Sequence, residues 1–150
     1  MHRNPQKGVR RFKYSRAKYS PKDSSEMSLL YPEFSYNIRG AIYEVYKTLG
    51  PGLLENVYQE ALALEFELRE IPFEAKKKLH LEYKGNQLRQ TYELDFLCYD
   101  KIILELKSVE SLAKIHFAQL ENYLRLTGCR LGMLVNFNST PKVEIKRIIV

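Results

Sequence analysis

Two consecutive stretches of the chain carry hydrophobic residues at helical spacing. The first spans residues 31–49, with Pro32 where a first helical turn tolerates proline and Gly50-Pro51-Gly52 as a stop signal. Its apolar positions are Ile38, Ile42, Val45, Tyr46 and Leu49. The second spans residues 53–70 and ends before Pro72. Its broad apolar face comprises Leu54, Val57, Tyr58, Ala61, Leu62, Leu64, Phe66 and Leu68. The pattern therefore predicts two helices in succession.

From residue 73 onwards the spacing changes to the alternation that is typical of β-strands. Lys84-Gly85-Asn86-Gln87 is a turn signal, a tight connection is expected near Asp100, and Gly128 is the expected stop of a later helix. The predicted elements are strands over 73–83, 88–98 and 101–107, a helix over 111–127, and strands over 131–137 and 143–150. The order ααβββαββ predicts an α/β fold of the α+β type, with a mixed central sheet flanked by helices.

The predicted central strands place charged residues on one face of the sheet. The apolar positions of two neighbouring strands are Leu94, Phe96, Cys98, Ile102, Leu104 and Leu106. Asp95, Glu105 and Lys107 are then expected on the opposite face. Residues directly opposite each other in an antiparallel pair lie on the same face of the sheet. The even-numbered apolar residues of the two strands therefore share a face only if the residue numbers of each opposed pair add to an even number. This predicts a three-residue loop over 99–101 or a compensating bulge, with Asp95 opposite Glu105 or Lys107.

Two carboxylates and an ammonium group on one sheet face indicate a metal site with hard oxygen ligands. Asp95, Glu105 and the Leu106 carbonyl are suited to Mg²⁺ or Mn²⁺, with water at further positions. Such an ion polarises a phosphodiester and activates water, while Lys107 orients that water or stabilises developing charge. The same residues are also consistent with a cross-strand ion pair on a solvated face, and both interpretations remain open here.

The net charge of +6 is unevenly distributed along the 150 residues. Residues 1–23 hold eight of the 24 basic side chains and one acidic side chain, so the rest of the chain is nearly neutral. We expect residues 1–26 to be a disordered basic extension and residues 27–150 to form a single domain. The extension fits a phosphate-binding arm, an Arg-rich targeting peptide, or a solvated segment without a role, or else Met27 is the true start.

The remaining composition argues against several other classes of protein. Cys98 and Cys129 are far apart, which predicts reduced cysteines rather than a disulfide framework. His2, His80 and His116 match no zinc-ligand spacing. No apolar run is long enough to cross a bilayer and no secretory signal is evident, so we expect a soluble, cytoplasmic protein without a membrane partner.

Several motifs in fixed order resemble one known family. GLLENVY at residues 52–58 fits the signature GxxExxY and follows Leu49-Gly50-Pro51. Further matching segments are LELK at 104–107, HFAQLENYL at 116–124 and GMLVNF at 132–137. Over residues 34–150 the chain resembles the GxxExxY family of the PD-(D/E)XK nuclease-like superfamily. The resemblance implies a restriction-endonuclease-like core of order αβββαβ, and family counterparts would begin near Met27.

The resemblance also implies roles for individual residues. Asp95 and Glu105 would be metal ligands and Lys107 the catalytic lysine. Glu55 would be an auxiliary carboxylate in the first turn of its helix, where negative charge is favoured. Gln119 would reach the site from a later helix, where it shares a face with Tyr123. Tyr58 and Tyr123 would support the pocket, although core packing is the simpler explanation for both tyrosines.

The sequence-based expectation is a Mg²⁺- or Mn²⁺-dependent nuclease acting on DNA or RNA in a repair, defence or mobile-element context. A catalytically silent nucleic-acid-binding or protein-interaction module on the same fold is the alternative. A third option is a toxin, defence or repair enzyme whose partner supplies specificity, and the expected assembly is a homodimer or a complex with such a partner. The expected phosphate contacts are Lys76, Lys77, Lys78, Lys84 and Arg89 on the first hairpin, which also fit a solvated edge strand.

Overall fold

The structure, a computed structural model, describes residues 30–150, so the predicted basic extension over residues 1–26 lies outside the described residues. The helices are α1 (Pro32–Leu49), α2 (Glu55–Leu68) and α3 (Lys114–Thr127). The strands are β1 (Phe73–Tyr83), β2 (Asn86–Cys98), β3 (Ile102–Lys107), β4 (Leu131–Asn136) and β5 (Glu144–Ile149). This α+β fold confirms the predicted order ααβββαββ.

The five strands form one mixed sheet in the order β1-β2-β3-β4-β5. β3 and β4 are parallel and α3 connects them, whereas every other neighbouring pair is antiparallel. A crossover helix is the usual way to join parallel neighbours, because the chain must return to the same end of the sheet. The predicted sheet flanked by helices is therefore confirmed.

Several predicted boundaries were wrong by two or three residues, including both ends of α2, which spans Glu55–Leu68 instead of 53–70. β2 begins at Asn86 instead of residue 88, since Lys84 and Gly85 both have positive φ and form a two-residue hairpin turn. α3 begins at Lys114 instead of residue 111. The Ala113 N–H donates to His116 Nδ1 at 3.0 Å, which satisfies a donor at the start of α3.

Hydrophobic side chains cover both faces of the sheet. On one face, α1 and α2 pack against strand residues that include Phe96, Leu104 and Met133. On the other face, α3 packs against residues that include Ile103 and Leu134. The sheet is thus a middle layer between two helical layers.

The predicted apolar face of α2 is broader than the face that is buried. Tyr58, Leu62 and Phe66 are fully buried, but Leu64 and Leu68 are 57% and 79% exposed. α2 packs on the sheet along a narrow stripe that is flanked by Gln59, Ala61 and Ala63, so hydrophobic residues farther from that stripe remain in solvent. This part of the prediction was wrong.

The connection between β2 and β3 has the predicted length. Phe96 pairs with Leu104 and Cys98 with Ile102, which leaves a three-residue loop over residues 99–101. Tyr99 and Asp100 in this loop both have positive φ, as a tight antiparallel connection requires. The predicted even-sum register is therefore confirmed for this pair.

Among residues 30–150, none of the helices combines the length and the apolar character needed to cross a membrane.

Candidate active site

The alternation of side chains between the two faces of the sheet reverses at Asp95 in β2. Leu94 packs in the hydrophobic cluster on the α3 face, whereas Phe96 and Cys98 pack in the cluster beneath α1 and α2. Two even-numbered residues of a regular strand would share a face, so the alternation reverses between Leu94 and Phe96. The predicted common face of Leu94, Phe96 and Cys98 was wrong for Leu94.

Contacts from neighbouring elements accompany this reversal. Gln59 of α2 is 7% exposed and donates from Nε2 to the Asp95 carbonyl oxygen at 3.0 Å. On the neighbouring strand, Lys76 has a left-handed φ of 51°. The register of β1 and β2 is the same on both sides of this point, with Ala75 opposite Phe96 and Lys77 opposite Leu94, so the irregularity is confined to the positions of Lys76 and Asp95. The irregularity frees Asp95 to contact β3.

Asp95 and Glu105 are joined by backbone hydrogen bonds. The Asp95 N–H donates to Glu105 Oε1 at 3.2 Å, and the Leu106 N–H donates to Asp95 Oδ2 at 2.7 Å. Each bond links a side chain of one strand to the backbone of the other, so neither carboxylate rotates freely. The structure thus brings Asp95 and Glu105 together, as the register predicted.

The environment of the two carboxylates disfavours their charged forms. Glu105 is only 4% exposed, and burial followed by the negative charge of Asp95 raises its pKa to about 9. Burial likewise raises the pKa of Asp95, against the lowering effects of the Leu106 N–H, of Glu105 and of Lys107. Two close carboxyl groups with little water between them share a proton in this way.

Lys107 is the positive charge of this cluster. Its ammonium group lowers the pKa of Asp95 and of Glu105, and it also lowers the pKa of Glu55 in the first turn of α2. Partial desolvation is the largest effect on Glu55 and raises its pKa, and the charge of Asp95 adds to that rise. Glu55 therefore lies within electrostatic range of the carboxylate pair, on the α2 side.

α3 contributes two polar side chains near the pair. Gln119 donates from Nε2 to the Tyr123 hydroxyl at 2.8 Å, and the Tyr123 ring lies 5.5 Å from that of Tyr92. Burial raises the pKa of Tyr123, and the charges of Glu105 and then of Asp95 raise it further, against the lowering effect of the Gln119 bond. Gln119 therefore contacts Tyr123, which lies within electrostatic range of Glu105 and Asp95.

Tyr58 is a packing residue that also supports a loop. Its ring stacks on Phe137, with centroids 4.4 Å apart and planes 5° apart. Its hydroxyl donates to the Gly50 carbonyl at 2.5 Å and accepts from the Leu53 N–H at 3.1 Å. The Leu53 carbonyl in turn accepts from Ser108 Oγ at 2.6 Å, directly after Lys107. Tyr58 therefore stabilises the connection between the helices and the end of β3.

Sequence reasoning missed two buried polar residues that bond backbone groups near the site. Gln59 lies next to Tyr58, beside the buried stripe of α2, and a polar residue at such a position is a signal that was available. Asn136, at the end of β4, accepts from Val109 N–H at 3.1 Å and donates to Val109 O at 2.9 Å. Its side chain fixes the segment that leaves β3, but the sequence motif containing it gives no sign of this role.

The predicted phosphate contacts lie together, apart from the carboxylates. Lys76, Lys77 and Lys78 belong to β1, Lys84 to the hairpin turn and Arg89 to β2, and all five are exposed. The structure therefore groups them on one hairpin, with Asp95 at its base.

The donors at the carboxylate pair fit a hard divalent cation. Carboxylate oxygens of Asp95 and Glu105 and a main-chain oxygen of Leu106 are the donor type that Mg²⁺ and Mn²⁺ prefer. A cation would also offset the burial that raises both pKa values. Within residues 30–150, no three His, Cys, Asp or Glu side chains gather closely enough to hold an ion alone. Main-chain and water oxygens would therefore have to complete the coordination.

Comparison with known proteins identifies the family. Residues 32–148 match the family model described as PD-(D/E)XK nuclease superfamily. Neither the curated proteins nor the solved structures gave a match to the chain. The matched region contains all three helices and all but the last residue of the sheet, and it includes Asp95, Glu105 and Lys107. The chain belongs to the PD-(D/E)XK nuclease superfamily.

Proposed function

We propose that this protein is a metal-dependent nuclease that hydrolyses phosphodiester bonds of DNA or RNA at Asp95, Glu105 and Lys107. The observation that supports it most directly is the pair of hydrogen bonds between β2 and β3, at 3.2 Å and 2.7 Å, which fixes the two carboxylates side by side. The positive charge of Lys107 acts on both carboxylates. A structural ion pair would not need one buried and one half-buried carboxylate for a single ammonium group.

In the proposed reaction, Asp95, Glu105 and the Leu106 carbonyl hold Mg²⁺ or Mn²⁺. When bound, the ion supplies Lewis acidity toward a phosphoryl oxygen and toward water. Lys107 orients the attacking water and stabilises the negative charge that develops on the phosphoryl oxygens. A bond forms between the water oxygen and phosphorus, the bond to the leaving oxygen breaks, and a proton passes from water to the leaving group.

Three further residues have supporting roles in this proposal. Glu55 is the auxiliary carboxylate from α2, close enough for Lys107 and Asp95 to change its pKa. Gln119 and Tyr123 line the α3 side of the site through their 2.8 Å hydrogen bond. The Tyr58 hydroxyl keeps Glu55 in position, since it bonds the loop that leads into the first turn of α2.

The finer placement within the superfamily is part of the same proposal. Gly52, Glu55 and Tyr58 match the spacing GxxExxY. The electrostatic effect of Lys107 on Glu55 and the hydrogen bond from Tyr58 to the loop before α2 support separate roles for these two residues. This placement favours a role in repair, defence or mobile elements. It also favours a homodimer or a partner protein that supplies specificity.

The decisive experiment is a cleavage assay with matched variants. Plasmid, single-stranded DNA and RNA are incubated with Mg²⁺ or Mn²⁺ and with wild type, Lys107→Ala or Asp95→Asn. We expect each variant to lower the cleavage rate by about 10² or more, the usual cost of removing a charge-stabilising or metal-binding group. Lys142→Ala, an exposed lysine at the far edge of the sheet, is the control and should cleave like wild type.

Two results would contradict the proposal. Cleavage that survives both Lys107→Ala and Asp95→Asn would mean that the activity belongs to another site or to a contaminant. Absence of cleavage of every substrate, together with a thermal midpoint that Mg²⁺ and Mn²⁺ leave unchanged, would favour the catalytically silent module. At a free ion concentration of 100 times the Kd, ion binding should stabilise the fold by about 2.7 kcal/mol, which a thermal shift detects readily.

A further inference from the structure

The first hairpin extends beyond the rest of the sheet. β2 has thirteen residues, but β3 pairs only with its residues 96–98, so β1 is the strand partner of the preceding part of β2. We call residues 76–93 the hairpin arm. At its base, Leu79 packs on the α3 cluster and the Tyr92 ring lies against Tyr123. Beyond that point both strands are exposed on both faces, apart from the partly buried Leu81.

The hairpin arm concentrates positive charge. It holds five basic residues and two acidic residues, Glu82 and Glu93, whereas residues 30–150 as a whole hold sixteen of each kind. Lys77 is paired with Glu74 at 2.7 Å, but within the described part of the chain Lys76, Lys78 and Arg89 have no ion-pair partner. The rest of the described chain is therefore slightly acidic, and the arm is its basic surface.

Protection of an open sheet edge accounts for only part of this charge. Lysines on an edge strand hinder the addition of further strands, which explains Lys76, Lys77 and Lys78 on β1. Within the hairpin arm β2 has no neighbour on its β3 side, so the same protection extends to Arg89 but not to Lys84, which lies in the turn. Tyr83 beside the turn is 62% exposed, and the Lys84 ammonium lies 5.5 Å from its ring centre. A basic hairpin with an exposed aromatic ring beside its turn is more typical of a nucleic-acid contact.

The dimensions of the hairpin arm favour B-form DNA. Residues 86–91 of β2 form the free part, which at about 3.4 Å per residue extends about 20 Å. The major groove of B-DNA, about 12 Å wide, admits a two-stranded ribbon, whereas the major groove of A-form RNA is too narrow for side chains to read. At a rise of about 3.4 Å per base pair, the arm would span about six base pairs.

We propose that the hairpin arm is the surface that grips duplex DNA, by docking along the major groove and contacting phosphates with Lys78, Lys84 and Arg89. The arm ends two residues before Asp95 on the same strand, so a duplex held at the base of the arm would be close to the carboxylate pair. Delivery of a phosphodiester to Asp95 and Glu105 rests on the proposed nuclease function, but the grip on the duplex does not.

The test is a binding measurement without divalent ions, so that cleavage plays no part. The full chain, the double variant Lys78→Gln/Arg89→Gln and the control Lys142→Gln/Lys146→Gln are titrated with a fluorescent 24-base-pair DNA duplex and with an RNA duplex of the same sequence. The control removes two exposed lysines at the opposite edge of the sheet. All three proteins keep residues 1–29, so any contribution of that segment cancels. Circular dichroism checks that each variant is folded.

We expect the arm variant to bind duplex DNA roughly tenfold more weakly, and the slope of log affinity against log salt to flatten by about 1.8, or about 0.9 for each lost phosphate contact. The control should match wild type. Equal losses in the two double variants would overturn the proposal, and so would an arm variant that binds like wild type. An RNA duplex bound as tightly as DNA, with the same loss in the arm variant, would overturn the assignment to B-form DNA. If the protein cleaves no substrate but the arm variant still binds duplex DNA more weakly than wild type, only the nuclease proposal is contradicted.

Discussion

The Gln59 side chain on α2 donates a hydrogen bond to the Asp95 carbonyl on β2, with 3.0 Å between Nε2 and the oxygen. Asp95 is thereby held at three points, because its N–H bonds Glu105 and its carboxylate accepts from the Leu106 N–H. Leu94 and Phe96 on either side of Asp95 pack on opposite faces of the sheet. Gln59 therefore links the helix that carries Glu55 to the strand irregularity that directs Asp95 toward β3.

Replacing Gln59 with Met should weaken the site more than its size suggests. Methionine keeps a similar volume but has no N–H, so the Asp95 carbonyl loses its partner while it remains buried. We expect a loss of about 1–3 kcal/mol in the free energy of unfolding. We also expect Mn²⁺ affinity to fall by about 10-fold to 100-fold, as is usual when a residue that orients a metal ligand is removed. Urea unfolding and a Mn²⁺ titration measure the two effects.

The matched control is Gln90→Met, the same substitution at an exposed position of β2. It should change neither stability nor Mn²⁺ affinity appreciably. If Gln59→Met lowers stability but leaves Mn²⁺ affinity unchanged, Gln59 only packs α2 and does not position Asp95.

The sequence predicted the elements well because their periodicity is local. The order ααβββαββ and the three-residue loop between β2 and β3 follow from spacing and parity alone. The orientation of Leu94 could not be predicted, because Leu94, Phe96 and Cys98 form a regular alternation and the reversal depends on contacts with Gln59 and on the backbone of Lys76. Contacts across elements leave little trace in a single sequence, and the same holds for Asn136.

The raised pKa of Glu105 predicts a pH dependence of stability in the metal-free protein. In the folded state its pKa is about 9, and in the unfolded chain it returns to about 4.5. Between these values the folded state binds more protons, so the free energy of unfolding should fall as the pH rises from about 4.5 to about 9. Glu105→Gln is neutral at every pH and should flatten this decline. Urea unfolding in EDTA at pH 5, 7 and 9 measures it.

The informative quantity is the difference between wild type and variant, because other groups titrate over the same range. Relative to Glu105→Gln, wild type should lose at least about 1.4 kcal/mol between pH 5 and pH 9, the equivalent of one pKa unit. Glu110→Gln, at an exposed position, should follow wild type throughout. Parallel curves for wild type and Glu105→Gln would mean that Glu105 is charged in the fold.

The loop between α1 and α2 should couple Tyr58 to Ser108. Tyr58 bonds Gly50 and Leu53, and Ser108 bonds the Leu53 carbonyl, so both side chains hold one loop. Tyr58→Phe and Ser108→Ala should each cost about 1 kcal/mol, and the double variant should cost less than their sum by at least about 0.5 kcal/mol. Unfolding of the four proteins gives the coupling. Ser111→Ala, at a nearby exposed serine, is the control, and its effect on the free energy of unfolding should add to that of Tyr58→Phe. If the effect of Ser108→Ala also adds to that of Tyr58→Phe, the two bonds are independent.

α3 packs tightly against Gly132 of β4, and this contact bears on the position of Tyr123. A Cβ atom at Gly132 would lie 2.9 Å from Leu120 Cδ1 and 3.0 Å from Leu120 Cγ, on the helix that also carries Gln119 and Tyr123. Gly132→Ala should therefore overpack the contact and lower the free energy of unfolding by about 1–3 kcal/mol. Adding Leu120→Val, which removes a methylene at the point of collision, should recover part of that loss.

The same substitution at Gly40 separates a steric effect from a general effect of replacing glycine. A Cβ at Gly40 in α1 would meet Nη1 of Arg69 at 3.0 Å, at the end of a flexible side chain that moves at little cost. Alanine is favoured over glycine within a helix by about 1 kcal/mol, so Gly40→Ala should leave stability unchanged or raise it.

Because the close contact sets the distance between α3 and β4, Gly132→Ala should also weaken Mn²⁺ binding if Tyr123 supports the carboxylate pair. Lower stability with unchanged Mn²⁺ affinity would assign Tyr123 to packing alone.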